Sequence, residues 1–306
     1  MITPGSDPLA AWLAERLGVV LRGRSPVGGG CIHSAWGLAL ADGSRLFAKT
    51  GPVSSALTLL EAEADGLAAL AAAADPQRLA VPTPLALGVV AGQAVLVLPW
   101  LELAGGDWRG LGAALADLHR RSLAGPLREG DRGATAFGWP QDNRIGASPQ
   151  ANGWLEAWGE FFMERRLAPQ LERLARAGHP LPGADALLAR TPDWLAGHRP
   201  EPCLAHGDLW SGNAGVLADG RGAIYDPAVH RADREVDLAM AQLFGGFPAA
   251  FFEGYAGEWP LPDNHRQRVD LYNLYHLLNH ANLFGGAYTA QAGRLIARLL
   301  RDGPQA

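Results

Sequence analysis

One string concentrates the residues able to do chemistry: His206-Gly207-Asp208-Leu209-Trp210-Ser211-Gly212-Asn213, then a hairpin pattern, then Tyr225-Asp226-Pro227. Phosphoryl transfer asks little covalent participation of a protein. It asks for a positioned acceptor hydroxyl and for positive charge around the transferring group. A carboxylate beside the acceptor orients that hydroxyl and takes its proton, and Asp208 suits the role. Asn213, five residues on, can offer an amide oxygen to Mg²⁺ from the same loop. Asp226, thirteen residues beyond Asn213, adds a second metal ligand from the far side of the hairpin. Taken singly, Asp208 could cap a turn and Asn213 could hold a left-handed position. The whole string with its hairpin argues for the metal–nucleotide reading, and His206 reads as support for the loop.

The upstream half supplies phosphate-binding candidates. Gly28-Gly29-Gly30, followed by Cys31 and Ile32, lies between two strand patterns, where backbone N–H groups could drape over phosphates. Three glycines would serve equally as a plain turn. Lys49 ends the strand Phe47-Ala48-Lys49, the A-x-K pattern of the kinase lysine strand. Glu63, fourteen residues on in a helical segment, is the preferred ion-pair partner for Lys49. Glu61 and Asp65 compete, but Leu67 and Leu70 fall on the inward side with Glu63. Leu98-Pro99-Trp100-Leu101 reads as a connector whose backbone meets adenine. Pro99 has no N–H to give there. Asp237 opens a helix after the metal loop, and its carboxylate is expected to accept N–H bonds from the catalytic loop. ATP and Mg²⁺ are the cofactors this set implies.

The elements that must position these groups fall into two parts. A capped first helix begins at Ser6-Asp7. Strand patterns follow at 19–27, 34–40, 45–50, 85–90 and 93–98, with a helix over 57–74. Past Leu101 the pattern is mostly helical, over 108–121, 154–176, 184–196, 235–244, 249–256, 266–284 and 290–300, with a β-hairpin over 214–225. The Gly- and Pro-rich stretch 125–152 reads as a long surface loop. The fold class is therefore α+β, a two-lobed protein-kinase-like fold. Residues 1–101 form an antiparallel nucleotide-binding lobe with one helix, and residues 102–306 a larger, mainly helical catalytic and substrate-binding lobe.

Composition narrows the class. The 306 residues carry a formal net charge of −5 with Lys and Arg scattered, so nucleic acid is not expected as a partner. Two cysteines, Cys31 and Cys203, make no disulfide framework. The N-terminus lacks the pattern of a signal peptide. The apolar run 79–101 is broken by Pro82, Pro84, Gly88, Gly92 and Pro99, and reads as two strands rather than a membrane span. A reducing cytoplasm is the expected compartment.

The strings 206–213, Asp226-Pro227-Ala228, 233–240 (DREVDLAM) and 243–247 (LFGGF) resemble the fructosamine/ketosamine-3-kinase family, a relative of the aminoglycoside phosphotransferases. The later strings 271–278 and 282–286, with Gly29-Gly30-Cys31-Ile32, Phe47-Ala48-Lys49 and 61–67 upstream, extend the resemblance over nearly the whole chain. It implies ATP–Mg²⁺ dependence and phosphorylation of the 3-hydroxyl of ketosamines, whose unstable product releases the amine in deglycation. The acceptor would be a small-molecule or protein-bound ketosamine. Asp233 and Glu235 are candidate carboxylates for its amine, and Trp210 a candidate face for its sugar. Pro99 and His33 depart from the family's commoner residues. Cys31 in the phosphate loop would be exposed, which allows a monomer or a redox-sensitive dimer. An aminoglycoside- or choline-type phosphotransferase would share Asp208, Asn213 and Asp226. A nucleotide-binding pseudokinase would be expected to lack one of them.

Overall fold

A computed structural model describes residues 7–28, 34–125, 127 and 129–303. The chain opens with helix α1 (Pro8–Leu17), capped by Asp7, whose side chain accepts from the Leu9 N–H at 3.0 Å. Strands β1 (Leu21–Val27), β2 (Ser34–Leu40) and β3 (Arg45–Pro52) follow, then helix α2 (Val53–Ala73) and the short strand β4 (Leu79–Ala80). Strands β5 (Ala86–Val90) and β6 (Gln93–Pro99) complete an antiparallel five-stranded sheet in the order β1-β2-β3-β6-β5. The run 79–101 thus resolves into strands, and no helix among the described residues is long and apolar enough to cross a membrane.

Successive side chains of a strand point to opposite faces. Val95 and Val97 of β6 pack with Leu38, Ala48 and the α1 residues Leu9 and Leu13 on one face. Ala94, Leu96 and Leu98 pack on the other, against Ala56, Leu60 and Leu67 of α2. Lys49 pairs with Leu96 and Phe47 with Leu98 across the β3–β6 ladder. Directly opposed residues share a face. Lys49 is therefore delivered to the α2 side by the register alone.

The rest of the chain contains helices α3 (Trp108–Arg121), α4 (Trp158–Phe161), α5 (Ala168–Arg176) and α6 (Ala184–Leu195). Helices α7 (Glu235–Leu243), α8 (Ala249–Glu258), α9 (Val269–Phe284) and α10 (Gly286–Asp302) follow. Between them lie the hairpin β7 (Asn143–Ile145)–β8 (Ser148–Gln150) and strands β9 (Cys203–Ala205), β10 (Ala214–Val216), β11 (Gly222–Ile224) and β12 (His230–Ala232). Two antiparallel pairs frame the catalytic string: β9, which leads into it, pairs with β12, and β10, which leads out of it, pairs with β11. Strand β4 runs parallel to β11, so the segment after α2 is stitched to the second part of the chain. A core of Leu70, Leu79, Leu115, Leu204, Leu209, Ile224 and Phe251 spans that junction.

Two expectations are corrected. The stretch 125–152 is no bare surface loop: Phe137, Trp139, Asn143, Ile145, Gln150 and Asn152 are buried. Its polar members are held by side chains and backbone, as where Asn143 donates to the Val229 carbonyl at 2.7 Å and Arg166 to Asn152 at 2.8 Å. The helix expected from residue 154 starts at Trp158, because Leu155 is bridged to Phe137. It also passes through a π-helical stretch, Phe162–Leu167, before α5. Strands β4, β9 and β12, of two or three residues each, carry too little pattern to be expected from sequence.

Candidate active site

The catalytic string is a loop between β9 and β10, held from behind by α7. Asp237, fully buried, accepts from the His206 N–H at 2.7 Å and from the Gly207 N–H at 2.8 Å, with His119 Nε2 at 3.2 Å. Burial opposes its ionisation, but the hydrogen bond and charge of His119 outweigh that and hold its carboxyl below the usual range. This is the loop-bracing role expected of it. Gly207 sits at φ 80°, and a Cβ there would meet the Ala228 carbonyl oxygen at 2.2 Å. Only glycine fits. His206 closes the brace, its Nδ1 facing the Asp208 N–H at 3.2 Å and its Nε2 facing the Tyr225 carbonyl at 3.0 Å. Burial pushes its pKa down, so the ring is a neutral strut.

Asp208, Asn213 and Asp226 converge. Asn213 Nδ2 donates to the Asp208 carbonyl at 2.9 Å, to Asp208 Oδ2 at 3.3 Å and to the Asp226 carbonyl at 3.3 Å. Its Oδ1 accepts no hydrogen bond among the described residues. Burial, then the charge of Asp226, raises the Asp208 pKa to about 7. Asp226 follows β11 in a left-handed conformation, φ 60°, rare for a non-glycine residue. Its side chain is half exposed and lies 2.5 Å from Lys49 Nζ.

Lys49 Nζ is also 2.8 Å from Glu63 Oε1. The face argument therefore chose the right acid, and Asp65 has a different partner, the Trp139 Nε1–H at 2.9 Å. Burial works against the Lys49 charge, yet Glu63 and Asp226 together raise its pKa. Burial pushes Glu63 up to about 7, with Lys49 opposing and Asp226 reinforcing the shift. One ammonium is shared by two carboxylates from the two halves of the chain.

The remaining candidates divide. Leu98 is buried beneath the sheet, and Trp100 is part-exposed on the connector, its Nε1–H donating to Glu102 at 2.9 Å. Gly28 is exposed at the end of β1; Gly29, Gly30, Cys31, Ile32 and His33 lie outside the described residues. Trp210 is 40% exposed, and a Cβ on Gly212 would meet its ring atoms at 2.3 Å, so the indole lies directly over that glycine.

Asp233 and Glu235 are corrected. Both are buried. Asp233 Oδ2 takes the Tyr272 hydroxyl at 2.6 Å and faces His198 Nε2 at 2.7 Å, while Oδ1 takes the Glu235 N–H at 3.0 Å. Glu235 receives two bonds from Arg268, each 2.8 Å. Every oxygen of both already has a protein partner, and they tie α7 to α9 and to the segment at His198. Sequence reasoning missed the partners Tyr272 and Arg268, and no local signal marks them.

An N-terminal antiparallel sheet presenting a lysine, set against a helical part presenting an Asp–Asn–Asp set, defines a protein-kinase-like phosphotransferase. The fructosamine kinase family model matches residues 7–302, and the chain belongs to that family. A Synechocystis protein described as a probable ketoamine kinase is 43% identical over 91% of this chain and 90% of its own. A chloroplastic protein-ribulosamine 3-kinase of Oryza sativa subsp. indica is 34% identical over 98% of this chain and 86% of its own. The crystal structure of a Thermobifida fusca protein assigned as a fructosamine-3-kinase superposes with a TM-score of 0.82 at 30% identity, covering 97% of this chain and 100% of that one.

Proposed function

We propose that this chain uses ATP and Mg²⁺ to phosphorylate the 3-hydroxyl of small-molecule or protein-bound ketosamines, as a step in deglycation. The observation that carries the reading is the meeting of Lys49 with Asp226 at 2.5 Å, beside the Asp208–Asn213 pair. Groups distant in sequence come together at one place, with the chemistry phosphoryl transfer needs. The names of the relatives support the ketosamine as acceptor.

The residues fit the metal. Asn213 Oδ1 and the Asp226 carboxylate are hard oxygen donors of the kind Mg²⁺ takes. The upward push of Asp226 on Asp208 marks acidic crowding that a cation would relieve. Asn213 and Asp226 would hold the Mg²⁺, which would supply positive charge against the charge developing on the transferring group. Lys49, steadied by Glu63, holds the α- and β-phosphates. Asp208 orients the acceptor hydroxyl and takes its proton. Trp210 offers its exposed ring to the sugar. Phe47, sharing a sheet face with Leu98, roofs the adenine, and the connector around Trp100 edges it. We assign residues 1–101 to nucleotide binding and 102–306 to catalysis and acceptor binding, in a reducing cytoplasm that suits the buried free thiol of Cys203.

The test is ADP release with ribulose-lysine, fructose-lysine, choline and an aminoglycoside side by side. Turnover confined to the two ketosamines supports the proposal, and turnover of choline or the aminoglycoside alone would overturn it.

A further inference from the structure

A cavity of about 500 Å³ lies against the connector, within the range of small-ligand pockets. It shares the connector residues Pro99, Trp100 and Leu101 with the edge proposed for adenine, but none of the phosphate and metal groups. Lys49, Glu63, Asp208, Asn213 and Asp226 do not line it, and neither do the cleft-facing Phe47 and Leu98. Its walls are the segment after α2, including Ala80 and Thr83, the connector residues Trp100 and Glu102, and the β10–β11 turn with Leu217 and Arg221.

Those walls are the two places where the halves of the chain are joined. At the connector, the Ala218 N–H donates to the Glu102 carbonyl at 3.0 Å, and Leu103 bridges Leu217. Behind it β4 pairs with β11, the Gly222 N–H donates to the Arg78 carbonyl at 3.0 Å, and Arg221 donates to the Pro76 carbonyl at 2.9 Å. An occupant of the cavity touches both joints at once.

The charges inside select the occupant. Apart from Trp100 and the polar groups at the rim, the walls are alanine, proline, leucine and valine. Arg221 is already paired with Asp219 at 2.7 Å. Glu102 receives only the neutral Trp100 Nε1–H and has no cationic partner among the described residues. Arg45 lays its guanidinium over the Trp100 ring, 3.6 Å from the centroid, and forms no ion pair with Glu102. Glu102 is thus an exposed carboxylate without a cationic partner at the edge of a largely apolar lining, and the complementary ligand is an apolar body carrying a cation.

We propose that this cavity is a second ligand site, taking a small apolar amine whose ammonium pairs with Glu102 while its body fills the space between the two joints. The site does not depend on the identity of the phosphoryl acceptor. Because the occupant bridges both joints, its binding is coupled to that of nucleotide, and the coupling is reciprocal.

The probe is benzylamine, compared with benzyl alcohol and benzoate, by calorimetric titration of the full chain without acceptor. Benzylamine is expected to bind at least fivefold tighter than either uncharged or anionic analogue. Glu102→Gln should erase that preference, and Thr83→Trp, at an exposed lining position, should abolish binding by filling the cavity. Binding should persist, with altered affinity, when AMP-PNP and Mg²⁺ saturate the cleft. Absence of benzylamine binding, equal binding of the three probes, or indifference to both substitutions would overturn the proposal. So would full displacement by AMP-PNP, or loss of binding in Trp210→Ala, since either places the amine in the catalytic cleft. Ketosamine turnover takes no part in these readouts, so failure of the ketosamine assignment would leave them standing.

Discussion

Asp237 offers the clearest test of how the catalytic loop is held. Asp237→Ala leaves the buried His206 and Gly207 N–H groups, now accepted at 2.7 and 2.8 Å, without an acceptor, and removes the neighbour of His119 Nε2. An orphaned buried donor costs about 1–3 kcal/mol, so two together cost roughly 2–6 kcal/mol, a large share of a typical stability of about 5–15 kcal/mol. The same change frees the backbone two residues before Asp208. A displacement of about 1 Å at a reacting group can cost on the order of 10²-fold in rate. Lys49 and Asp226 do not contact Asp237, so the ATP KM should change little while kcat falls. Asp237→Asn keeps the volume and one acceptor oxygen, and its losses should be smaller. Urea denaturation gives the stability, and initial-rate kinetics separate kcat from KM. An alanine variant within about 1 kcal/mol of the parent, or one with a raised ATP KM and unchanged kcat, would refute the bracing argument.

Glu63→Gln should raise the ATP KM by loosening Lys49. It should also raise the Tm at pH 8, because burial lifts the Glu63 pKa to about 7. A carboxyl raised in the fold loses stability as pH climbs from its unfolded value towards the folded one, and the amide has no such loss; a lowered Tm at pH 8 would count against this. His206, His230 and His276 all have pKa values depressed first by burial, His276 to about 3. Their contribution is complete above the unfolded value of about 6.5 and declines as pH falls, for His276 by roughly 1.4 kcal/mol per pH unit. Urea midpoints should therefore drop between pH 7.5 and 5.5, less steeply in His276→Gln, and equal slopes would remove His276 from the account. Trp210→Ala should raise the ketosamine KM with the ATP KM and the urea midpoint nearly unchanged, and an unaffected ketosamine KM would remove the ring from the acceptor site.

What could be read from sequence was what local spacing encodes. Asp208, Asn213 and Asp226 lie on one loop and one hairpin, so their separations already carry geometry. Glu63 could be chosen over Glu61 and Asp65 because a helix repeats every 3.6 residues and the leucines mark its inner side. The fates of Asp233 and Glu235 could not be read, since burial there is set by Tyr272 and Arg268, 39 and 33 residues away. The stretch 125–152 misled for a related reason. Its glycines and prolines read as surface, while Asn143, Gln150 and Asn152 bind one another and the backbone near Ala228 and Val229. Glu102 drew no notice in the sequence, because an unpaired carboxylate acquires meaning only beside the cavity it borders.

The central claim is that Asp208 handles the acceptor hydroxyl while Asn213 and Asp226 hold the metal–nucleotide. Asp208→Asn keeps the shape of the side chain and removes its capacity as a base. ATP–Mg²⁺ affinity measured by calorimetry, alongside ADP release with ribulose-lysine, should show binding within a few-fold of the parent and no detectable turnover. Near-normal turnover in that variant would contradict the account.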